Sequence, residues 1–108
     1  MMLITAVVEP SRVEQVEAAL RLFEVRGLTA SEVQVSSRTG RVEVYRGRRW
    51  VATMVPRVRL EILAGDDDID DLVRVILRAA GGGDGYLWVS RVDYLIPIRN
   101  GDTGLRGP

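Results

Sequence analysis

The order of its apolar segments is the feature that most restricts how this chain can fold. Four segments have the β-branched or alternating character of strands, and they lie at residues 2–8, 28–36, 51–55 with 58–63, and 86–92. Two segments between them carry apolar side chains at helical spacing, at residues 11–26 and 69–80. The resulting order β-α-β-β-α-β predicts an α+β, ferredoxin-like sandwich with four antiparallel strands and both helices on one face.

Local signals place the limits of these elements. Ser11 and Glu14 have the spacing of a capping box, and Gly27 suits the left-handed end of the first helix. The acidic residues 66–68 are expected to cap the second helix. Its apolar stripe consists of Ile69, Leu72, Val73, Ile76, Leu77 and Ala80. Pro56 cannot donate to a ladder, so the strand should bend, bulge or lie at an edge there.

The composition excludes most enzyme classes. The chain has 108 residues, which suits a single domain over 1–108, and no apolar run is long enough to span a membrane. It lacks Cys, His and Lys, so thiolate nucleophiles, imidazole bases or ligands, P-loop lysines and Schiff bases are all absent. No carboxylate pair has a spacing suited to acid–base work. We therefore expect a protein that is not an enzyme and holds no metal through these groups.

Two segments exceed what the fold requires. The absence of apolar periodicity at residues 37–49 predicts a long polar loop, and seven of the fifteen arginines lie from Arg38 to Arg59. Such a loop either docks on a partner or is simply solvated. Residues 81–85 contain four glycines, which either form a flexible connection or present backbone amides to an anion. The helix-to-strand direction of that turn fits neither a P-loop nor a dinucleotide fingerprint.

At these two places the sequence resembles the PII nitrogen-regulatory signal proteins, and the resemblance extends from residue 1 to about 104. The family's Tyr-Arg-Gly loop signature is similar to residues 45–50, and its Gly-Asp-Gly signature is similar to residues 83–88. Three further family motifs match in order, at residues 8–10, 55–62 and 97–101. The middle one also accounts for the proline inside the third strand.

The resemblance implies a homotrimer that binds adenine nucleotides in the clefts between its subunits. The residues it assigns to the nucleotide are Thr29, Arg38, Glu61, Leu63, Gly83, Asp84, Gly85 and Arg99. It implies that residues 37–50 form the T-loop. Residues 100–108 are expected, from their own composition, to be a flexible tail. The loop residues it assigns to a partner protein are Tyr45, Arg46, Gly47, Arg48, Arg49 and Trp50. The partner would be a membrane transporter, such as an ammonium channel, or a metabolic enzyme.

Several positions depart from the family pattern. Tyr86 replaces the lysine after Gly-Asp-Gly, and Pro97 replaces the first arginine of Arg-x-Arg, which predicts a preference for ADP or AMP, with ATP still possible. Thr39 and Arg57 replace the glutamine and lysine associated with magnesium and 2-oxoglutarate, which argues against that effector and leaves magnesium unassigned. Trp50 replaces the tyrosine that some members uridylylate.

Other interpretations remain open on the sequence alone. A divergent relative that does not sense 2-oxoglutarate could regulate a different transporter or a complex of bicarbonate metabolism. The residues themselves also allow simpler roles: Glu61 could pair with Arg59, Arg99 could lie at the rim of a trimer, and Trp88 could be a packing residue. Nucleic-acid binding is not expected, because the strands lack an exposed aromatic ladder. The expected location is the cytoplasm, with no insertion into a membrane.

Overall fold

Within the part of the chain that the structure describes, the fold consists of six strands and two α-helices. The computed structural model describes residues 1–23, 25, 27–36, 42–45, 48–51, 54–83 and 85–99, with the backbone alone for 42–45 and 48–51. The strands are β1 (Met2–Val8), β2 (Gly27–Ser36), β3 (Val42–Tyr45), β4 (Arg48–Val51), β5 (Met54–Ala64) and β6 (Tyr86–Arg91). The helices are α1 (Val13–Leu20), which follows a 3₁₀ turn at Pro10–Arg12, and α2 (Ile69–Ala80), which follows one at Asp66–Asp68.

The main sheet is antiparallel and has the strand order β2-β5-β1-β6. Its two central strands, β1 and β5, are the two segments with the strongest apolar character in the sequence. This order, with two helices against one face, confirms the predicted α+β, ferredoxin-like fold.

The core lies between the sheet and the two helices. Alternation along β1 and β5 sends every second side chain towards the helices, where they meet the apolar stripes of α1 and α2. The largest fully buried side chains are Ile4, Leu60, Ile62, Val16, Leu72 and Ile76. The alternate residues, such as Glu61 between Leu60 and Ile62, therefore lie on a second face that carries no helix; we call it the open face.

The first helix is shorter than predicted. It ends at Leu20 rather than residue 26, and Leu22 is 84% exposed. Gly27, expected to end the helix, instead begins β2 and lies opposite Leu63 of β5. The predicted capping box is also wrong, since Ser11 lies inside the 3₁₀ turn and no side chain caps the helix. After Leu20 the apolar side chains Phe23 and Val25 pack against the core from outside the helix, so they are buried without the helical turns that their spacing predicted.

The second helix spans the predicted residues, but its N-terminus differs. Gly65, rather than an aspartate, precedes the 3₁₀ turn Asp66–Asp68, and no side-chain cap is formed. The Asp66 carboxylate instead lies 2.8 Å from the amino group of Met1. The hydrogen bond from that ammonium group lowers the pKa of Asp66 below its ordinary value, and the charges of the amino terminus and Arg91 act in the same direction. Leu77, placed in the apolar stripe by its spacing, is 56% exposed.

The segment predicted to be an irregular polar loop contains a β-ribbon. Strands β3 and β4 pair antiparallel, from Val42 opposite Val51 to Tyr45 opposite Arg48.

The proline in β5 lies in a part of the strand that is at the edge of the sheet, as expected. Pro56 lies opposite Gln34 of β2, and pairing of β5 with β1 begins only at Val58, so Pro56 has a neighbouring strand on one side. The predicted tail, residues 100–108, lies outside the described residues.

Candidate functional site

The connection from α2 to β6 is a turn of consecutive left-handed glycines. Gly81, Gly82 and Gly83 have φ angles of 73°, 80° and 92°. Residues with a side chain rarely adopt these angles, so the turn depends on glycine. Gly81 ends α2, and its N–H donates to the carbonyl oxygen of Arg78 at 3.2 Å. All three glycines are exposed, and because the Gly81 N–H is engaged by Arg78, the amides that a ligand could reach are those of Gly82 and Gly83.

The end of the turn lies directly against the backbone of β1. A Cβ atom added at Gly85 would lie 2.5 Å from the carbonyl oxygen of Val7. The next residue, Tyr86, is the register partner of Val7 and begins β6. This close approach holds the glycine turn at the carboxyl end of β1. Asp84, predicted to belong to the same turn, lies outside the described residues.

Two charged side chains from the connection between β1 and α1 flank the turn. A Cβ added at Gly81 would meet the Arg12 guanidinium at 2.8 Å, and one added at Gly83 would meet Oε1 of Glu9 at 3.1 Å. Neither residue was predicted to belong to the site. No local sequence signal indicated that either side chain reaches the turn.

A second group of predicted site residues lies on the open face. Thr29 of β2 is the register partner of Glu61 of β5, and Thr5 of β1 lies on the other side of Glu61. The Glu61 carboxylate lies 3.6 Å from Nε of Arg59, which confirms the ion pair suggested as its simpler role. Both side chains are substantially exposed, so the pair contributes at most about 1 kcal/mol.

One protomer does not bring all the predicted residues together. Leu63 is opposite Leu3, near the start of β1, whereas Gly85 touches Val7, near its end. Four residues of extended strand separate these positions by about 13 Å. Leu63 and the glycine turn therefore cannot contact the same end of a small ligand within a single chain.

A small cavity lies beside the turn, on the helix side of the sheet. Its volume is about 80 Å³, and apolar side chains of β1 and α2, including Val8, Ile76 and Leu77, line it together with Gly83 and Tyr86. Sites for small molecules usually measure about 300–1,000 Å³. This cavity is too small and too apolar to hold a nucleotide.

Two aromatic rings lie next to the turn on the open face. Tyr86 and Trp88 are stacked, with ring centroids 5.9 Å apart and planes inclined by 22°. They are 50% and 46% exposed, and their register partners on β1 are Val7 and Thr5. Trp88, suggested to be a packing residue, thus leaves nearly half of its surface accessible in the single chain.

Comparison with known sequences identifies the family. The sequence model of the family described as "Nitrogen regulatory protein P-II" matches residues 1–102. The chain belongs to the P-II family. It is 33% identical over 106 residues to nitrogen regulatory protein P-II of Mesorhizobium japonicum, covering 94% of this chain and 95% of that protein.

Relatives from distant organisms support the same membership. Nitrogen regulatory protein P-II 2 of Methanothermobacter thermautotrophicus is 35% identical over 105 residues, covering 94% of this chain and 91% of its own. Nitrogen regulatory protein GlnK of Escherichia coli K12 is 32% identical over 107 residues, covering 95% and 96%. These names describe regulatory proteins. Among the described residues of this P-II chain, no helix is long and apolar enough to cross a membrane.

The remaining predicted residues of this P-II protein are Arg99 and the residues of the 37–50 loop. Arg99 is exposed in a turn, not in a C-terminal strand, because β6 already ends at Arg91. Arg38 and Thr39 lie outside the described residues, as do Arg46 and Gly47. The other predicted partner-loop residues have a described backbone in the β3–β4 ribbon, and these are Tyr45, Arg48, Arg49 and Trp50.

Proposed function

We propose that this P-II protein binds adenine nucleotides between the protomers of a homotrimer and regulates a target protein through its 37–50 loop. The observation that carries the proposal is the exposed turn of three left-handed glycines, Gly81–Gly83. Consecutive glycine amides can hold phosphate oxygens without a P-loop lysine, which this chain lacks. The last glycine of the turn, Gly83, is also the first residue of the Gly-Asp-Gly signature to which residues 83–88 are similar.

Assembly of three protomers supplies what one chain lacks. Leu63 and the glycine turn lie about 13 Å apart along β1. An adjacent protomer brings its own open-face residues, such as Thr29 and Glu61, to the turn of its neighbour. The open face also carries apolar side chains that are partly or fully exposed in the single chain, as expected of an interface. These are Val33, Val35, Val55, Leu63, Tyr86 and Trp88.

The charges around the turn favour the less charged nucleotides. Tyr86, rather than a lysine, follows the glycine signature, and Pro97 occupies the position of a second family cation. Each missing charge-assisted contact weakens phosphate binding by about 1.5–3 kcal/mol. ATP makes the most such contacts, so ADP and AMP are the preferred ligands.

The partner surface of the proposal is the loop that contains the β3–β4 ribbon. The ribbon gives this segment a defined backbone over Val42–Tyr45 and Arg48–Val51. Arginines at positions 41, 46, 48 and 49 make the segment basic, with Glu43 as its single acidic residue. Such a loop suits an acidic or pore-like site on a transporter or a metabolic enzyme.

Two measurements on the full chain test the proposal. Sedimentation velocity should give a trimer, and titration calorimetry should show binding of AMP and ADP, with ATP bound more weakly than ADP. ATP bound tenfold more tightly than ADP contradicts the predicted preference. Val33→Arg, on the open face of β2, should dissociate the trimer and abolish nucleotide binding. Gln34→Arg, the same strand's neighbouring position on the other face, is the matched control and should do neither. A monomeric wild-type protein, or one that binds no adenine nucleotide, contradicts the proposal.

A further inference from the structure

The carboxylate of Glu9 is a feature that the proposed nucleotide site does not account for. Its Oε1 lies 3.1 Å, and its Cδ 3.8 Å, from the position a Cβ atom would occupy on Gly83. Glu9 directly follows β1 and has extended backbone angles, φ −63° and ψ 139°, where the 3₁₀ turn begins. Strand β1 and the following 3₁₀ turn therefore place this side chain beside the glycine turn.

The neighbouring cation forms no close ion pair with this carboxylate. Arg12 lies at the other end of the turn, with its guanidinium carbon 2.8 Å from the Cβ position of Gly81. That position is at the carboxyl end of α2, where the helix dipole stabilises a cation. Among the described residues, the ion pairs within 4.0 Å do not include one between Glu9 and Arg12. The two charged groups therefore lie at opposite ends of the turn, with the carboxylate at the Gly83 end.

We propose that Glu9 sets the nucleotide preference of the glycine turn by repelling the terminal phosphates of the more highly charged nucleotides. The inference rests on the proposed function, because it requires phosphate at this turn. An oxygen that accepts a hydrogen bond from the Gly83 amide would lie no more than about 9 Å from the Glu9 carboxylate. That separation is about one Debye length at physiological ionic strength, so solvent ions screen the repulsion only in part.

The repulsion acts on each nucleotide in proportion to its charge. At about 9 Å it weakens binding roughly two- to twentyfold for each unit of phosphate charge, across the range of effective dielectric constants found near protein surfaces. ATP is affected most and AMP least. Glu9 therefore acts in the same direction as the missing cations at positions 86 and 97, and through a different element of the fold.

Titration calorimetry of the full chain with AMP, ADP and ATP, at low and at raised salt, tests this role. Glu9→Gln should raise the ratio of ATP affinity to AMP affinity about tenfold at low salt, and Glu9→Lys should raise it further. The gain should shrink when salt is added. Glu14→Gln removes the same charge from an exposed position on α1 and should leave the ratio unchanged.

Each outcome decides for or against the role of Glu9. A rise in the ratio, including the case in which only the Glu9 variants bind ATP, supports it. An equal change for all three nucleotides indicates a structural effect and overturns it. An unchanged ratio in a protein that binds nucleotides also overturns it, and leaves the proposed function standing. If neither the wild type nor any variant binds an adenine nucleotide, the proposed function fails and the role of Glu9 fails with it.

Discussion

Replacing Gly85 by alanine should separate the start of β6 from β1. The added Cβ would lie 2.5 Å from the carbonyl oxygen of Val7, about 0.8 Å closer than even a short C–H···O contact. The obstacle is a main-chain atom, so relief requires movement of the strand rather than a change of rotamer. Loss of one or two ladder hydrogen bonds, with the accompanying strain, predicts a decrease of about 2–4 kcal/mol in the free energy of unfolding.

Two other glycines provide matched controls for Gly85→Ala. Gly65 has φ −69°, and nothing lies within 4 Å of its Cβ position. Gly65→Ala should therefore leave stability unchanged or raise it by up to about 1 kcal/mol, because alanine restricts the unfolded chain. Gly82 has equal space but φ +80°. Gly82→Ala should lower stability by about 1–2 kcal/mol through backbone strain alone.

Urea denaturation followed by far-ultraviolet circular dichroism, at one fixed protein concentration, measures all three variants. The expected order of stability is Gly65→Ala, then Gly82→Ala, then Gly85→Ala. A Gly85→Ala variant as stable as Gly65→Ala would show that the turn does not approach Val7 closely, and would refute the steric argument. Gly85 does not have a left-handed φ, so its loss measures the contact with Val7, whereas the loss for Gly82→Ala measures backbone strain alone.

Three further perturbations test the core and the charges. Ile62→Ala should lower the free energy of unfolding by about 2–5 kcal/mol in the same urea assay, because the side chain is fully buried, while Leu22→Ala, at an exposed position, should change it by less than about 0.5 kcal/mol. The lowered pKa of Asp66 means that its ionised form stabilises the fold above pH 4, and that this contribution is lost as the pH falls through the lowered pKa. Urea midpoints between pH 6 and pH 2 should therefore fall less steeply for Asp66→Asn, and parallel curves would contradict the assignment. A double-mutant cycle on Arg59→Ala and Glu61→Ala should give a coupling energy of no more than about 1 kcal/mol, and a larger value would mean that the pair is less exposed than it appears in the single chain.

The general plan of the fold was predictable because it depends on periodicity. The alternation of Leu60 and Ile62 with Glu61 indicates which face of β5 packs against the helices, and this does not depend on which strands lie beside β5. The proline in β5 likewise carries its own restriction, since a residue without an N–H must have an open side. The turn at residues 81–85 was predictable because a run of glycines favours a chain reversal. Gly81–Gly83 indeed adopt angles that other residues avoid.

The limits of α1 were not predictable from local pattern. Phe23 continues the helical spacing, yet α1 ends at Leu20, and Phe23 and Val25 pack against the core from outside the helix. The β3–β4 ribbon was missed because its short strands lie in an arginine-rich segment without a core-facing stripe. In the ribbon, pairing between strands decides the structure, and strand propensity depends strongly on that context.

The sequence by itself determined the order of the elements, the buried faces of the strands and helices, and the glycine-dependent turn. Each of these depends on the spacing of apolar residues or on the chemistry of single residues. Only the tertiary structure placed Glu9 and Arg12 against that turn, joined Asp66 to the amino terminus, and showed that Leu63 lies far from the glycines within one chain. These relations join segments distant in sequence. They follow from how the chain packs, and no local pattern of residues encodes a contact that only packing creates.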